Sequence, residues 1–169
     1  MIIRQETEKD HSEVYNVVKR AFESAEHSDG NEQDIVNALR RSKAFIPELS
    51  LTAEENGKIT GYIMFTEGKV GNNTVIILAP LAVLPEYQRK GIGRALIEKG
   101  HKTAYDMGYG YVVVLGSESY YPRMGYVPAS ELGIETPEGI PNENFMAVKL
   151  RDDAVPLKGA VIYPDEFGI

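Results

Sequence analysis

Gln88-Arg89-Lys90-Gly91-Ile92-Gly93 follows the apolar run Val75–Leu84 and opens a stretch with helical periodicity. A buried strand running into a glycine-rich turn and then a helix is a phosphate-binding arrangement. The two glycines let backbone approach a ligand closely, and several N–H groups leave the turn at the positive end of the helix. Two familiar versions of the turn are excluded. A dinucleotide fingerprint needs a third small residue for helix–strand packing, and Leu96 occupies that position. A nucleoside-triphosphate loop ends in Gly-Lys-Ser/Thr, which the chain lacks.

Outward from this turn, the periodicities predict the remaining elements. Ile2–Gln5 reads as a strand, and Glu8–Ser24 and Glu32–Arg41 read as helices, parted at Asp29-Gly30-Asn31. Leu49–Glu54 and Lys58–Thr66 flank Asn56-Gly57, a hairpin signal. Thr74–Val83 is apolar enough for a central strand. The helix from about Arg89 to Met107 is predicted to bury Ile92, Ala95, Leu96, Thr103, Ala104 and Met107, with Gly108 as its C-cap. Tyr111–Leu115, a short helix from Tyr120 to Gly125 and Phe145–Leu150 follow, with a further extended piece around Ala160–Tyr163. The order predicts an α/β fold with a mixed sheet.

At 169 residues, with no repeat or linker, one domain over 1–169 is expected, with a core of about 2–150 and an extension over 151–169. Net charge is −7, which argues against nucleic acid as a partner. No apolar run approaches a membrane span, and no signal peptide is visible, so a cytoplasmic protein without a membrane partner is expected. The absence of cysteine excludes thiol nucleophiles and zinc ribbons. The three histidines have no metal-ligand spacing, so no metal is expected, and His11 and His101 read as bystanders.

The longer segment Leu81–Leu96 resembles the acetyl-CoA-binding segment of the GNAT N-acetyltransferases, whose Arg/Gln-x-x-Gly-x-Gly/Ala pattern is matched by Gln88, Gly91 and Gly93. Downstream, Tyr120-Tyr121-Pro122-Arg123-Met124-Gly125-Tyr126 resembles the Phe/Tyr-Tyr-x-x-x-Gly-Phe segment of the same family. Pro47–Leu51, Ala79–Val83 and Val114–Gly116 are similar to a bacterial branch of predicted acetyltransferases. The resemblance implies a mixed, mostly antiparallel sheet, flanked by helices on both faces, whose fourth and fifth strands splay apart. It implies acetyl-CoA as cofactor, its pantetheine arm pairing with Leu81, Ala82 and Val83, and its pyrophosphate held by N–H groups from Arg89, Lys90, Gly91, Ile92, Gly93 and Arg94 beside Gln88. Independently, Pro80 inside a buried strand predicts a bulge or break.

The same resemblance puts Tyr121 in the place of a general acid that protonates the departing thiolate; the competing reading is a packed tyrosine bonded to backbone. The position of the family's basic glutamate is Ile77, which cannot take a proton. Glu26, His27, Glu32 and Glu48 fall on the acceptor side, and Glu118 beside the short helix, so His27, Glu32 and Glu118 are substrate-side candidates. Ser117 and Ser119 stand where relatives carry an asparagine, and helix capping is the favoured role for them. The implied activity is direct acetyl transfer to the primary amine of a small molecule or peptide. A non-catalytic acyl-CoA-binding or regulatory protein on the same fold is the alternative. The extension after Leu150 is expected either to wrap its own domain or to complete a homodimer.

Overall fold

In the computed structural model, which describes residues 1–25 and 28–169, the chain runs β1 (Ile2–Gln5), α1 (His11–Phe22), α2 (Glu32–Arg40), β2 (Phe45–Glu55), β3 (Lys58–Val70), β4 (Asn73–Val83), α3 (Ile92–Asp106), β5 (Tyr111–Leu115), β6 (Val127–Pro128), β7 (Phe145–Lys149) and β8 (Val161–Ile162). Short 3-10 turns fill several connections, one of them Tyr121–Met124. The strands form a sheet in the order β1-β2-β3-β4-β5-β7-β6, with β8 pairing β3. Every pair is antiparallel except β4 with β5. Among the described residues no helix is long and apolar enough to cross a membrane.

Alternation along the strands divides the core into two layers. Ile63 and Phe65 point to the face that α3 covers, where they meet Ile92, Leu96, Ile97 and Ala104. Tyr62 and Met64 point to the opposite face, under Val14, Val17 and Val18 of α1 and Val36 and Leu39 of α2. A third cluster packs Ala129, Ile134 and Leu157 against Val113 and Phe145, on β5 and β7. A buried polar knot ties α2 to the sheet. Arg40 donates to both carboxylate oxygens of Glu6 at 2.9 and 2.8 Å, and the Ser50 hydroxyl donates to Glu6 at 2.5 Å. With both partners charged and paired, removing either one would strand a buried charge.

Several boundaries move from the sequence expectation for identifiable reasons. The helix expected over Glu8–Ser24 begins as a 3-10 turn, Glu8–Asp10, in which the Asp10 carboxylate accepts the Thr7 N–H at 2.7 Å. β3 runs on past Thr66 because its pairing with β4 continues to Val70, and on its other edge β8 pairs with Lys69 and Val70, so the extension wraps its own domain. Its Phe167 packs against the α1–α2 cluster. On α3 the buried face is Ile92, Leu96, Ile97, Gly100 and Ala104, whereas Met107 is exposed, contrary to expectation.

Gly100 is buried because the Phe65 ring lies directly on the helix at that point, in the space a Cβ would fill. Gly100→Ala is therefore expected to destabilise the fold by about 1–3 kcal/mol through overpacking, despite alanine's better helix propensity. Denaturant titration checks this, and the loss should shrink when Phe65 is shortened to Leu; an equal loss in both backgrounds would put the cause elsewhere.

Candidate functional site

β4 is paired to β5 over a short length. The partners are Ile76 with Val112 and Ile77 with Val113, after which β4 continues to Val83 with no strand on that edge among the described residues. Just past the last pair, the β3–β4 register breaks between Phe65↔Leu78 and Ile63↔Leu81, so Ala79 and Pro80 together oppose one residue of β3. This is the bulge that Pro80 predicted. The phase of the ladder beyond the bulge is set by the Leu84 N–H, which donates to the Thr60 carbonyl at 2.9 Å. Hydrogen-bonded pairs alternate in an antiparallel ladder, so Ala82 spends its N–H and C=O on Tyr62, while Leu81 and Val83 turn theirs to the open edge. The Gln88 side-chain amide donates to the Val83 carbonyl at 3.2 Å from that side. Of the three residues expected to pair with a ligand, Leu81 and Val83 offer backbone groups to it. Ala82 does not, and its methyl packs on the other face of the sheet.

The glycine-rich turn lies beyond this edge. Arg89 (φ 63°) and Gly91 (φ 86°) adopt left-handed backbone, so α3 starts at Ile92 instead of about Arg89. Gly91 is the N-cap and brings no side chain to the helix end. The first helical bond runs from the Ala95 N–H to the Gly91 carbonyl at 3.0 Å, which leaves the N–H groups of Ile92, Gly93 and Arg94 without helical acceptors. No acidic residue stands in this first turn. A Cβ on Gly93 would come within 2.6 Å of the Tyr120 hydroxyl oxygen, so the opposite wall closes on the helix at this point.

Between the two walls lies a cleft of about 810 Å³, within the usual range for ligand sites. Leu81, Val83, Tyr87, Gln88, Arg89 and Gly91–Arg94 line one wall, and Ser119, Tyr120, Arg123 and Met124 the other. Three arginines and a set of free N–H groups thus gather in one cleft of an acidic chain. Lys90 does not line it; its ammonium sits 5.3 Å from the Tyr87 ring centroid, and Lys58 reaches the same ring at 5.5 Å.

The second wall differs from expectation. Instead of a helix capped by Ser119, the chain makes one four-residue 3-10 turn, Tyr121–Met124, with Tyr120 as its N-cap. The Ser117 carbonyl accepts the N–H groups of Tyr120 and Tyr121 at 3.2 and 3.3 Å, and the Ser117 hydroxyl accepts that of Ser119 at 3.2 Å. A turn this short carries little dipole to favour a phenolate. Tyr120 is half-buried and lines the cleft; burial raises its pKa while Arg94 and Arg123 pull the other way. Tyr121 is buried and does not line the cleft. Its pKa is pushed up by burial, and its hydroxyl has no hydrogen-bond partner among the described residues.

The substrate-side candidates are not gathered in the cleft. His27 and Glu26 lie outside the described residues. Glu32 accepts the Ser28 hydroxyl at 2.8 Å at the start of α2. Glu118 accepts the Asn144 amide at 2.6 Å, and the same amide donates to the Gly116 carbonyl at 3.1 Å. Asn144, which sequence spacing did not single out, therefore fastens the loop after β5. Glu48 is exposed on β2, and Ile77 is buried and apolar as expected. No group of three or more potential metal ligands occurs among the described residues.

His101 is half-buried, not at the exposed helix position its reading as a bystander assumed. It lies on the buried side of α3, with its Nε2 and the Tyr126 hydroxyl oxygen 2.7 Å apart. Its spacing from Ile97 and Ala104 was the available signal.

Two predictions follow from this geometry. Gly91→Val forces a β-branched residue into left-handed backbone, at about 1–2 kcal/mol. It is expected to weaken binding of coenzyme A in calorimetric titration by about tenfold, more than Arg89→Ala, which keeps every N–H; equal losses would mean that side chains hold the ligand. Burial lowers the His101 pKa from 6.5 to about 4, so the fold favours the neutral ring. The resulting stabilisation, at most about 3 kcal/mol, is fully present above pH 6.5 and lost as pH falls toward about 4. His101→Gln should flatten that part of the stability–pH curve, and an unchanged slope would assign it to other groups.

A sequence model of the Acetyltransferase (GNAT) family matches residues 11–126. The chain is 38% identical over 169 residues to the uncharacterized N-acetyltransferase YjhQ of Escherichia coli (strain K12), covering 94% of this chain and 91% of that protein. Among solved structures, the chain resembles a GNAT family acetyltransferase from Brucella melitensis in complex with acetyl-CoA, with a TM-score of 0.82 and 32% identity over 98% of this chain and 97% of that one. It also resembles the GNAT family N-acetyltransferase YhbS from Escherichia coli in complex with CoA, with a TM-score of 0.88 and 29% identity over 99% and 92% of the two chains.

Proposed function

The chain belongs to the GNAT acetyltransferase family, and from that premise we propose that it transfers the acetyl group of acetyl-CoA directly to a primary amine of a small molecule or peptide. The observation that carries the reading is the convergence on one cleft of two sets of backbone groups that have no main-chain partner. The open edge of β4 at Leu81 and Val83 suits the amides of a pantetheine arm. The uncapped start of α3 suits a diphosphate, and Arg89, Arg94 and Arg123 add positive charge on both walls. The residues present therefore fit the cofactor, which supplies the acetyl group as an activated thioester.

The chain's own contribution is positioning and proton transfer. With no cysteine in the sequence, no thiol can carry the acetyl group, which supports direct transfer. Tyr121, like any tyrosine, holds its proton at neutral pH, burial raises its pKa further, and it delivers that proton to the departing sulfur. Ile77 leaves β4 without a base, so the amine loses its proton to water or arrives neutral. Residues 21–38 and 124–148 contain no lysine or arginine. They supply α2 as far as Ala38, short of Arg40, and the segment that packs over β5 and β7, and their negative charge favours a cationic acceptor.

Thermal-shift titration with acetyl-CoA tests binding, and thiol release with spermidine, kanamycin and a lysine-containing peptide tests transfer. Binding without release from any amine would favour the binding-only alternative. Tyr121→Phe is expected to lower kcat about a hundredfold, as loss of a general acid does, with KM for acetyl-CoA nearly constant. Because Tyr120 is the tyrosine that lines the cleft, Tyr120→Phe is the matched comparison; if it alone loses kcat, the acid is Tyr120.

A further inference from the structure

We propose that His101 and Tyr126 form a positioning pair that fixes the Tyr121 ring from within the core, an inference that rests on the reading of Tyr121 as the acid. The contacts form a continuous chain. His101 Nε2 and the Tyr126 hydroxyl lie 2.7 Å apart, and the two rings are tilted with centroids 5.4 Å apart. The Tyr126 ring meets Tyr121 edge to face at 5.6 Å, and Tyr121 meets Tyr120 in the same manner at 5.1 Å. On a further side the Tyr121 ring rests on Gly116, in the space a side chain there would occupy. Tyr121 has no hydroxyl partner among the described residues, so ring contacts set where its oxygen points.

A phenylalanine at 126 and a leucine at 101 could fill a buried site without polar groups to satisfy. The tyrosine and histidine instead add a directional bond at the far end of the Tyr126 ring, which stops that ring from sliding or pivoting against Tyr121. The bond also persists across the neutral range. Burial keeps His101 uncharged, with Glu98 the one acidic group pulling the other way, and burial likewise keeps Tyr126 protonated.

The pair also connects the two ends of the site. α3 carries the free N–H groups of Ile92, Gly93 and Arg94 in its first turn and His101 about 14 Å further along its axis. One rigid helix thereby sets both the anchorage of the diphosphate and, through Tyr126, the place of the acid near the reacting sulfur.

The test is steady-state thiol release from acetyl-CoA by the full chain, using whichever amine of the panel supports turnover, or slow hydrolysis by water if none does. Tyr126→Phe and His101→Leu are expected to lower kcat about tenfold, with KM for acetyl-CoA changing less than twofold. His101→Gln, which can still hydrogen-bond, should recover most of the rate. Adding Tyr126→Phe to Tyr121→Phe should cost nothing more. Thermal midpoints establish that each variant is folded, and if His101→Leu is not, Tyr126→Phe with His101→Gln carries the test. A folded Tyr126→Phe with unchanged kcat, a rise in KM alone, or losses that multiply in the double variant would each overturn the pairing while leaving the acid in place. Tyr121→Phe with full activity would overturn the acid and this inference together.

Discussion

Two residue pairs, Ile76 with Val112 and Ile77 with Val113, hold β4 to β5, and the cleft begins where that pairing stops. A proline in a central strand has no N–H to give a neighbour, and the extra residue at Ala79-Pro80 bends β4 away just past the last pair. An unpaired strand edge inside a sheet is normally a hazard, because it can recruit another strand. Here it is screened by the start of α3 on one side and Tyr120 on the other, so what reaches it must be narrow. An extended arm bearing amides meets that condition.

Charge is distributed to match. The chain is acidic overall, yet the cleft gathers Arg89, Arg94 and Arg123 around free N–H groups. Neither of the stretches 21–38 and 124–148 contains a lysine or arginine.

The elements that local chemistry determines were legible in the chain. Asn56-Gly57 announces the hairpin, Pro80 the bulge, and Gly91 with Gly93 the turn into α3. What escaped depends on contacts distant in sequence. β4 pairs with Lys69 and Val70 across the turn at Gly71 and Asn72, but their second partner, β8, returns from the far end of the chain, and no pattern near residue 69 reveals it. The choice between Leu81 and Ala82 as donors to a ligand turns on ladder phase, which a single bond from Leu84 to Thr60 decides. His101 was misread because a histidine at a helical position suggests solvent. Its spacing from Ile97 and Ala104 pointed inward, but its partner Tyr126 lies on another element.

The placement of β8 bears on how the domain is completed during synthesis. Residues 161–167 are made after every strand and helix they cover, yet they supply the second partner of Lys69 and Val70, on the edge away from β4, and set Phe167 against the α1–α2 cluster. A nascent chain that has already assembled its sheet and α3 still carries a bare length of β3 and an uncovered apolar seam. Until residues 161–167 are in place that edge stays open to neighbouring chains, so translation that stalls shortly before residue 161 would leave it exposed.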